Sequence, residues 1–266
     1  MLEAPVQREL QTLSWNIGRA THKLATEAEP IRSLSTRDGK SVDVIEDANG
    51  NKAVKRTYGR DALATLNLGR NSFTTEWGKM NRTFSQAGVD IVPSFILSDE
   101  PGRAVVVSSF LEDARPMKSA PTEQKEKLAE ALGRVVSPQS LDFFPHIQMF
   151  LPDAFQTTRG EDGQDKIVLT DIDPYASLSG YLLKTTSSLR DAAYGLYIWH
   201  MAGMLYDSWL KPEERDVVLG KFVKGIMVAF KEEPHAGDFM KTMQGIQTAQ
   251  MLRQGVDLRN RSGFPL

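Results

Sequence analysis

The chain has 266 residues, 41% of them hydrophobic and 25% charged. These are the proportions of an ordinary globular protein, not of a disordered chain, which lacks the apolar surface to offset its ordering entropy. Its 32 basic and 34 acidic residues leave a formal net charge of −2, which argues against a protein working mainly on the nucleic-acid backbone, and the absence of cysteine excludes a disulfide framework, a thiol nucleophile and Cys-ligated zinc or iron–sulfur.

At roughly 150 residues per domain, this length makes one bilobed domain or two small ones. Residues 1–7 carry Glu3 and no apolar run, so no secretory leader is expected there and the expected compartment is the cytoplasm. Val6, Leu10, Leu13, Ile17 and Leu24 recur at helical spacing and predict an amphipathic helix over 5–25. Ser41-Val42-Asp43-Val44-Ile45 and Lys52-Ala53-Val54-Lys55 flank Asp47-Ala48-Asn49-Gly50. Asn-Gly between two such runs is a strong hairpin signal, because both residues tolerate positive φ. A helix is predicted over 61–86, then strands over Ile91–Leu97 and Arg103–Phe110, joined by the turn Ser98-Asp99-Glu100-Pro101-Gly102.

Pro121-Thr122-Glu123 opens a further helix, whose Glu123 suits the positive end of the macrodipole. Leu128, Leu132, Val135 and Val136 give it an apolar stripe. Glu123, Lys125, Glu126 and Lys127 are expected to form its solvated face. Residues 143–175 read as irregular, with a turn at Gly160-Glu161-Asp162-Gly163 and a strand over Lys166–Thr170. Helices are predicted over 187–209, 212–231 and 236–255. The uncharged run Ala192–Tyr206 is 15 residues long and includes His200. A bilayer span needs about 20, so this run is expected to be a buried helix, and no membrane partner is expected. The strand-rich first part followed by a helix-rich remainder is an α+β, two-lobe pattern.

Several segments, in order, resemble the protein-kinase-like fold in its aminoglycoside-phosphotransferase-like, small-molecule-kinase branch. Ala53-Val54-Lys55-Arg56 looks like the V-A-I-K strand whose lysine holds the α/β-phosphates. Glu76, on a predicted helix, looks like the glutamate that pairs with that lysine. Gly88-Val89-Asp90-Ile91-Val92-Pro93 resembles the approach to the fourth strand. Val105-Val106-Val107-Ser108-Ser109-Phe110-Leu111-Glu112-Asp113 resembles strand five running into the hinge. Ile167-Val168-Leu169-Thr170-Asp171-Ile172-Asp173 resembles the strand and aspartate of the D-F-G segment.

The resemblance implies a bilobed α+β fold, with a small antiparallel-sheet N-lobe and a helical C-lobe. The expected boundaries are an N-terminal helical extension over 1–30, the N-lobe over 31–116 and the C-lobe over 117–266. It also implies ATP and Mg²⁺ as cofactors. A nucleoside triphosphate needs a fixed cation at its phosphates and a carboxylate for the metal. Lys55 would be the cation, Glu76 would orient it, and Asp171, Asp173 and Asp153 would be the metal-ligand candidates. The Ser109 carbonyl and the Leu111 N–H would face the adenine edge.

Two departures stand out. The stretch Ser33-Leu34-Ser35-Thr36-Arg37-Asp38-Gly39 has a single glycine where G-x-G-x-x-G is usual. The catalytic loop, usually H-x-D-x-x-P-x-N, is nearest to His146-Ile147-Gln148-Met149-Phe150-Leu151-Pro152-Asp153-Ala154-Phe155. The base position is then Gln148 or Met149, and the asparagine position is Ala154, so the usual catalytic aspartate is missing. His146 reads as a structural prop, His22, His200 and His235 as structural or surface residues, and Asp191 as a helix N-cap.

The expected function is therefore a nucleotide-binding, atypical or degenerate phosphotransferase (or nucleotidyl transferase). The alternative is a catalytically inactive pseudokinase acting as a binding or scaffolding module. The partners would be a nucleotide and a small-molecule or protein acceptor that the sequence does not identify. An unrelated α+β protein would instead keep strands 42–55 and 103–110 in separate sheets.

Overall fold

A computed structural model describes residues 28–37, 39–66, 68, 72–136, 151–160, 163–171, 173, 174, 198 and 201–231. The central hairpin forms where Asn49-Gly50 places it. The Asp47 carboxylate accepts the backbone N–H groups of Asn49 and Asn51, each at 2.9 Å, and Gly50 turns the chain at φ 80°. The flanking strands are β2 (Lys40–Glu46) and β3 (Lys52–Tyr58), antiparallel with Lys55 opposite Asp43.

Preceding them is a strand that the sequence does not announce, β1 (Glu29–Arg37), paired antiparallel to β2 with two register irregularities. Its residues 30–36 are exposed, so no apolar alternation marks it, and Pro30 is tolerated because this is an edge strand. The turn into β2 uses Gly39 at φ 77°.

The helix expected over 61–86 is two helices, α1 (Arg60–Thr65) and α2 (Phe73–Ala87). The stretch Asn67-Leu68-Gly69-Arg70-Asn71-Ser72 between them is rich in turn formers, and the Ser72 hydroxyl caps α2 by accepting the Thr75 N–H at 3.1 Å. At the other end Gly88, φ 89°, donates to the Ser85 carbonyl while Val89 donates to that of Phe84, a Schellman closure. Phe73, Glu76, Met80, Phe84 and Ala87 are the buried stripe of α2.

Next come β4 (Ser94–Glu100) and β5 (Arg103–Ser109). The expected start of β4 is thus late by three residues, and Ser98–Glu100 are strand rather than turn. Pro101-Gly102 alone make the reversal, with Gly102 at φ 82°. The five strands form one antiparallel sheet in the order β1-β2-β3-β5-β4. Since β3 pairs with β5 throughout, the alternative with those strands in separate sheets is overturned.

Described residues fall into two compact units, one drawn from 1–76 and 92–112, the other from 77–91 and 113–266. In the first, Ile45, Ala53 and Val107 form a core cluster on one face of the sheet, with Ala28, Phe95 and Leu97 packed against it.

The second unit holds a three-stranded antiparallel sheet, β6 (Arg115–Pro116), β7 (Phe155–Arg159) and β8 (Asp165–Leu169), in the order β6-β7-β8. The strand β7 lies within the stretch expected to be irregular; Gln156, Thr157 and Thr158 leave it without an apolar signal, and it pairs with β8 along its whole length. The turn at Gly163, φ 75°, is where the sequence puts it. Helix α3 (Thr122–Val135) opens after Pro121 as expected. Residues 201–204 are helical and pass into a π-type turn, Leu205–Trp209, whose Trp209 ring lies edge-on to Phe155 with centroids 5.2 Å apart. A 3₁₀ turn at Pro212–Glu214 leads into α4 (Arg215–Lys231). The helices expected over 5–25 and 236–255 lie outside the described residues, as does most of 187–209.

Helices α3 and α4 cross with their backbones in contact at Gly133 and Gly225. A Cβ on Gly133 would overlap the Phe222 carbonyl oxygen, and one on Gly225 that of Glu130. Beside this crossing, one expectation is corrected. Lys125 is not on a solvated face but fully buried, with its Nζ 2.9 Å from both carboxylate oxygens of buried Glu214. The Thr122 hydroxyl and the Lys211 backbone N–H donate to the same carboxylate, each at 3.0 Å. The ion pair with Glu214, whose carboxylate accepts four hydrogen bonds in all, is what allows a lysine on the core side of the helix. Glu123 and Lys127 are exposed, as expected. Among the described residues no helix is long and apolar enough to cross a membrane.

Candidate functional site

Strand β3 sits between β2 and β5, so every residue on it is held in register from both sides. Successive side chains alternate between the two faces. Lys55, partly exposed, stands opposite Asp43 on β2 and Val107 on β5. Arg56 stands opposite Val42 and Val106 and is buried, its Nη1 donating to the Ser108 hydroxyl at 2.7 Å.

Glu76 is on α2, 1% exposed, in the helix's first turn and on the same stripe as Phe73. The start of α2 is anchored to the sheet at two points. The Phe73 ring meets that of Tyr58, centroids 4.9 Å apart, and the Thr74 N–H and hydroxyl donate to Asp99 Oδ2 at 3.0 and 2.7 Å. Ser109 ends β5, its N–H donating to the Pro93 carbonyl at 2.9 Å. Leu111 follows in the partly exposed segment after the strand.

In the second unit, the backbone brings two of the metal-ligand candidates together. The Ala154 carbonyl, at the end of the Pro152–Ala154 turn, accepts the N–H groups of Thr170 and Asp171 at 2.8 and 3.1 Å, and the Thr170 hydroxyl at 3.2 Å. Asp153 and Asp171 are therefore the neighbours of one shared hydrogen-bonded node. Asp153 is exposed, Asp171 partly exposed, and Asp173 buried. Strand β8, which Asp171 and Asp173 follow, is held at Leu169, whose N–H donates to the Asp90 carbonyl at 2.8 Å and which forms a parallel bridge to Ile91. No group of three or more His, Asp or Glu side chains in cation-binding arrangement occurs among the described residues. His146, Gln148 and Met149 lie outside them.

A five-stranded antiparallel sheet thus carries cations on its third strand. After that strand comes a helix with a buried carboxylate, then strands four and five, and then a unit in which an aspartate follows a strand. This kinase-like order of elements is the one that the sequence motifs imply.

No protein-family model matches the chain, and no curated protein matches it. Among solved structures, an amicoumacin kinase in complex with AMP-PNP and Ca²⁺ is similar at 10% identity and a TM-score of 0.33, over 86% of this chain and 90% of that one. The apo form of a pseudokinase is similar at 12% identity and a TM-score of 0.35, over 82% and 91% respectively. The kinase-like reading rests on strand order and on the residues the strands carry, not on these overlaps.

Arg56 and Ser108 are the residues that sequence reasoning passed over. The signal was present in Ala53-Val54-Lys55-Arg56, where the fourth position is arginine and the pattern V-A-I-K has its lysine.

Proposed function

We propose that the chain is an ATP–Mg²⁺-binding, kinase-like protein that works as an atypical phosphotransferase. The observation that carries this is a basic β3 together with a buried carboxylate on α2, in the strand order β1-β2-β3-β5-β4. A cation on β3, where Lys55 and Arg56 are adjacent, would meet the phosphates, with Glu76 orienting it. Backbone groups at Ser109 and Leu111 would meet the adenine edge.

The carboxylates of Asp171 and Asp153 are hard oxygen donors of the kind that suit Mg²⁺, and the Ala154 node keeps their backbones adjacent; Asp173 is the third candidate. In this fit the metal, when bound, neutralises charge on the phosphates.

Transfer is expected to be slow. A positioned base contributes on the order of 10²–10⁴ in rate, and kinases turn over at about 1–100 s⁻¹. A site with Gln148 or Met149 in place of the base would then run at roughly 10⁻⁴–1 s⁻¹. The same substitution favours a second reading, a pseudokinase whose nucleotide-stabilised shape recruits a partner. Titrating the full chain with a fluorescent ATP analogue, with and without Mg²⁺, tests the proposal. Saturable binding strengthened by Mg²⁺ is expected, and no binding in either condition refutes it. Label transferred from γ-labelled ATP and lost in Asp171→Ala separates the enzyme from the pseudokinase.

A further inference from the structure

We propose that Arg56, not Lys55, is the β3 cation that pairs with Glu76 and meets the nucleotide's phosphates. The pairing stands on register, the anchors of α2 and burial, whereas the phosphate role rests on the ATP-binding reading above.

In an antiparallel sheet, residues directly opposite each other share a face, and neighbours along a strand alternate. Tyr58 is opposite Ala104, which is opposite Asp99, so Tyr58, Ala104 and Asp99 share one face. Both anchors of α2 land there, Phe73 on Tyr58 and Thr74 on Asp99. This is therefore the face that the start of α2, Phe73–Glu76, meets.

Arg56 is two residues from Tyr58 and on the same face, with Val106 and Ile96 in its row and Ser108 in the next. Lys55 is on the opposite face, in the row of Asp43, Val107 and Phe95, beside the cluster of Ile45, Ala53 and Val107. Glu76 is three residues beyond Phe73, on the helix stripe that meets the sheet.

Burial agrees with this assignment. Arg56 is 7% and Glu76 1% exposed, and a buried charge is stable only when paired and hydrogen-bonded. Two opposite charges buried on one face of one sheet, in one unit, satisfy that condition together. The Ser108 hydroxyl fixes the guanidinium's orientation at 2.7 Å, so the planar fork is preorganised for a carboxylate on one side and a phosphate on the other. Lys55, partly exposed opposite Asp43, has an ordinary cross-strand neighbour of opposite charge.

Two measurements on the full chain test the assignment, and the second needs no nucleotide. In ATP–Mg²⁺ titrations, Arg56→Met is expected to raise Kd by about 10- to 100-fold, the loss of one charge-assisted hydrogen-bonding group. Lys55→Met is expected to cost at least tenfold less than that. A loss at Lys55→Met as large as that at Arg56→Met overturns the assignment. Arg56→Lys, which keeps the charge but not the fork, serves if Arg56→Met does not fold, and is compared with Lys55→Met in the same way.

Urea unfolding of Arg56→Lys, Glu76→Gln and the double variant then isolates the pair. The unfolding constant of the double variant is expected to depart from the product of the single effects by about tenfold. Additive effects overturn the pairing. Should the wild type bind no ATP, the ATP-binding reading fails, and this cycle alone decides whether Arg56 and Glu76 pair.

Discussion

Lys125→Met removes the ammonium from the buried node between α3 and the turn before α4 while nearly preserving the side chain's volume. Glu214 then keeps the Thr122 hydroxyl and the Lys211 N–H, but loses the Nζ that lies 2.9 Å from each of its oxygens. Breaking one side of a buried ion pair costs about 3–5 kcal/mol, because the remaining charge is left uncompensated. At about 2–4 °C per kcal/mol for a chain of this size, the melting midpoint should fall by about 6–20 °C. Lys127→Met is the control, because its partner Glu123 is exposed and it is itself 61% exposed; surface pairs of this kind are worth about 0–1 kcal/mol.

Adding Glu214→Gln to Lys125→Met should recover at least half of the loss. The amide keeps acceptor and donor capacity without the charge. Thermal unfolding by circular dichroism, with urea midpoints alongside, reads all four proteins. A drop for Lys125→Met no larger than that for Lys127→Met would refute the reasoning, as would a double variant no more stable than the single one.

Acid should act through the same node. Burial pushes the Glu214 carboxyl up, but the Lys211 N–H, Lys125 and Thr122 together outweigh it and hold the group below its ordinary value. A carboxyl depressed on folding contributes stability that is present above its unfolded pKa and is lost as pH falls through its folded pKa. Glu214→Gln should therefore flatten that part of the acid limb of a stability–pH curve, and an unchanged acid limb would contradict the assignment. At the helix crossing, Gly133→Ala and Gly225→Ala should each destabilise the protein by about 1–3 kcal/mol through overpacking, although alanine is the better helix former by about 1 kcal/mol; a rise in melting midpoint for either would refute the close crossing. Ser108→Ala leaves the Arg56 guanidinium without its hydroxyl partner and should cost about 1–3 kcal/mol, read as a shift in urea midpoint without change of slope. Gly50→Ala, at a positive φ of 80°, should destabilise the hairpin by about 1 kcal/mol, and an unchanged midpoint would argue against the turn.

Several turns and helix starts that are decided locally were legible. Asn49-Gly50, Pro121 before α3 and the Gly160–Gly163 turn each fix a backbone conformation within four residues, and the structure has them where the sequence puts them. Elements whose reason lies elsewhere in the chain were not legible. Strand β1 exists because β2 offers an edge, and β7 because β8 does; neither has an apolar rhythm of its own. Lys125 reads as solvent-facing until Glu214, 89 residues away, is brought against it. The same distinction separates Lys55 from Arg56. Both are basic and adjacent on a correctly predicted strand, and only the register with β5 and the landing points of α2 say which one faces Glu76.

Thermal unfolding with and without ATP and Mg²⁺, in the wild type and in Asp171→Ala, tests nucleotide binding at this fold most directly. A ligand at about 100 times its Kd adds roughly 2.7 kcal/mol, a rise of several degrees at this chain length. The expected result is a rise that requires Mg²⁺ and disappears in Asp171→Ala. An identical midpoint with and without ATP and Mg²⁺ would contradict nucleotide binding and leave only the kinase-like scaffold.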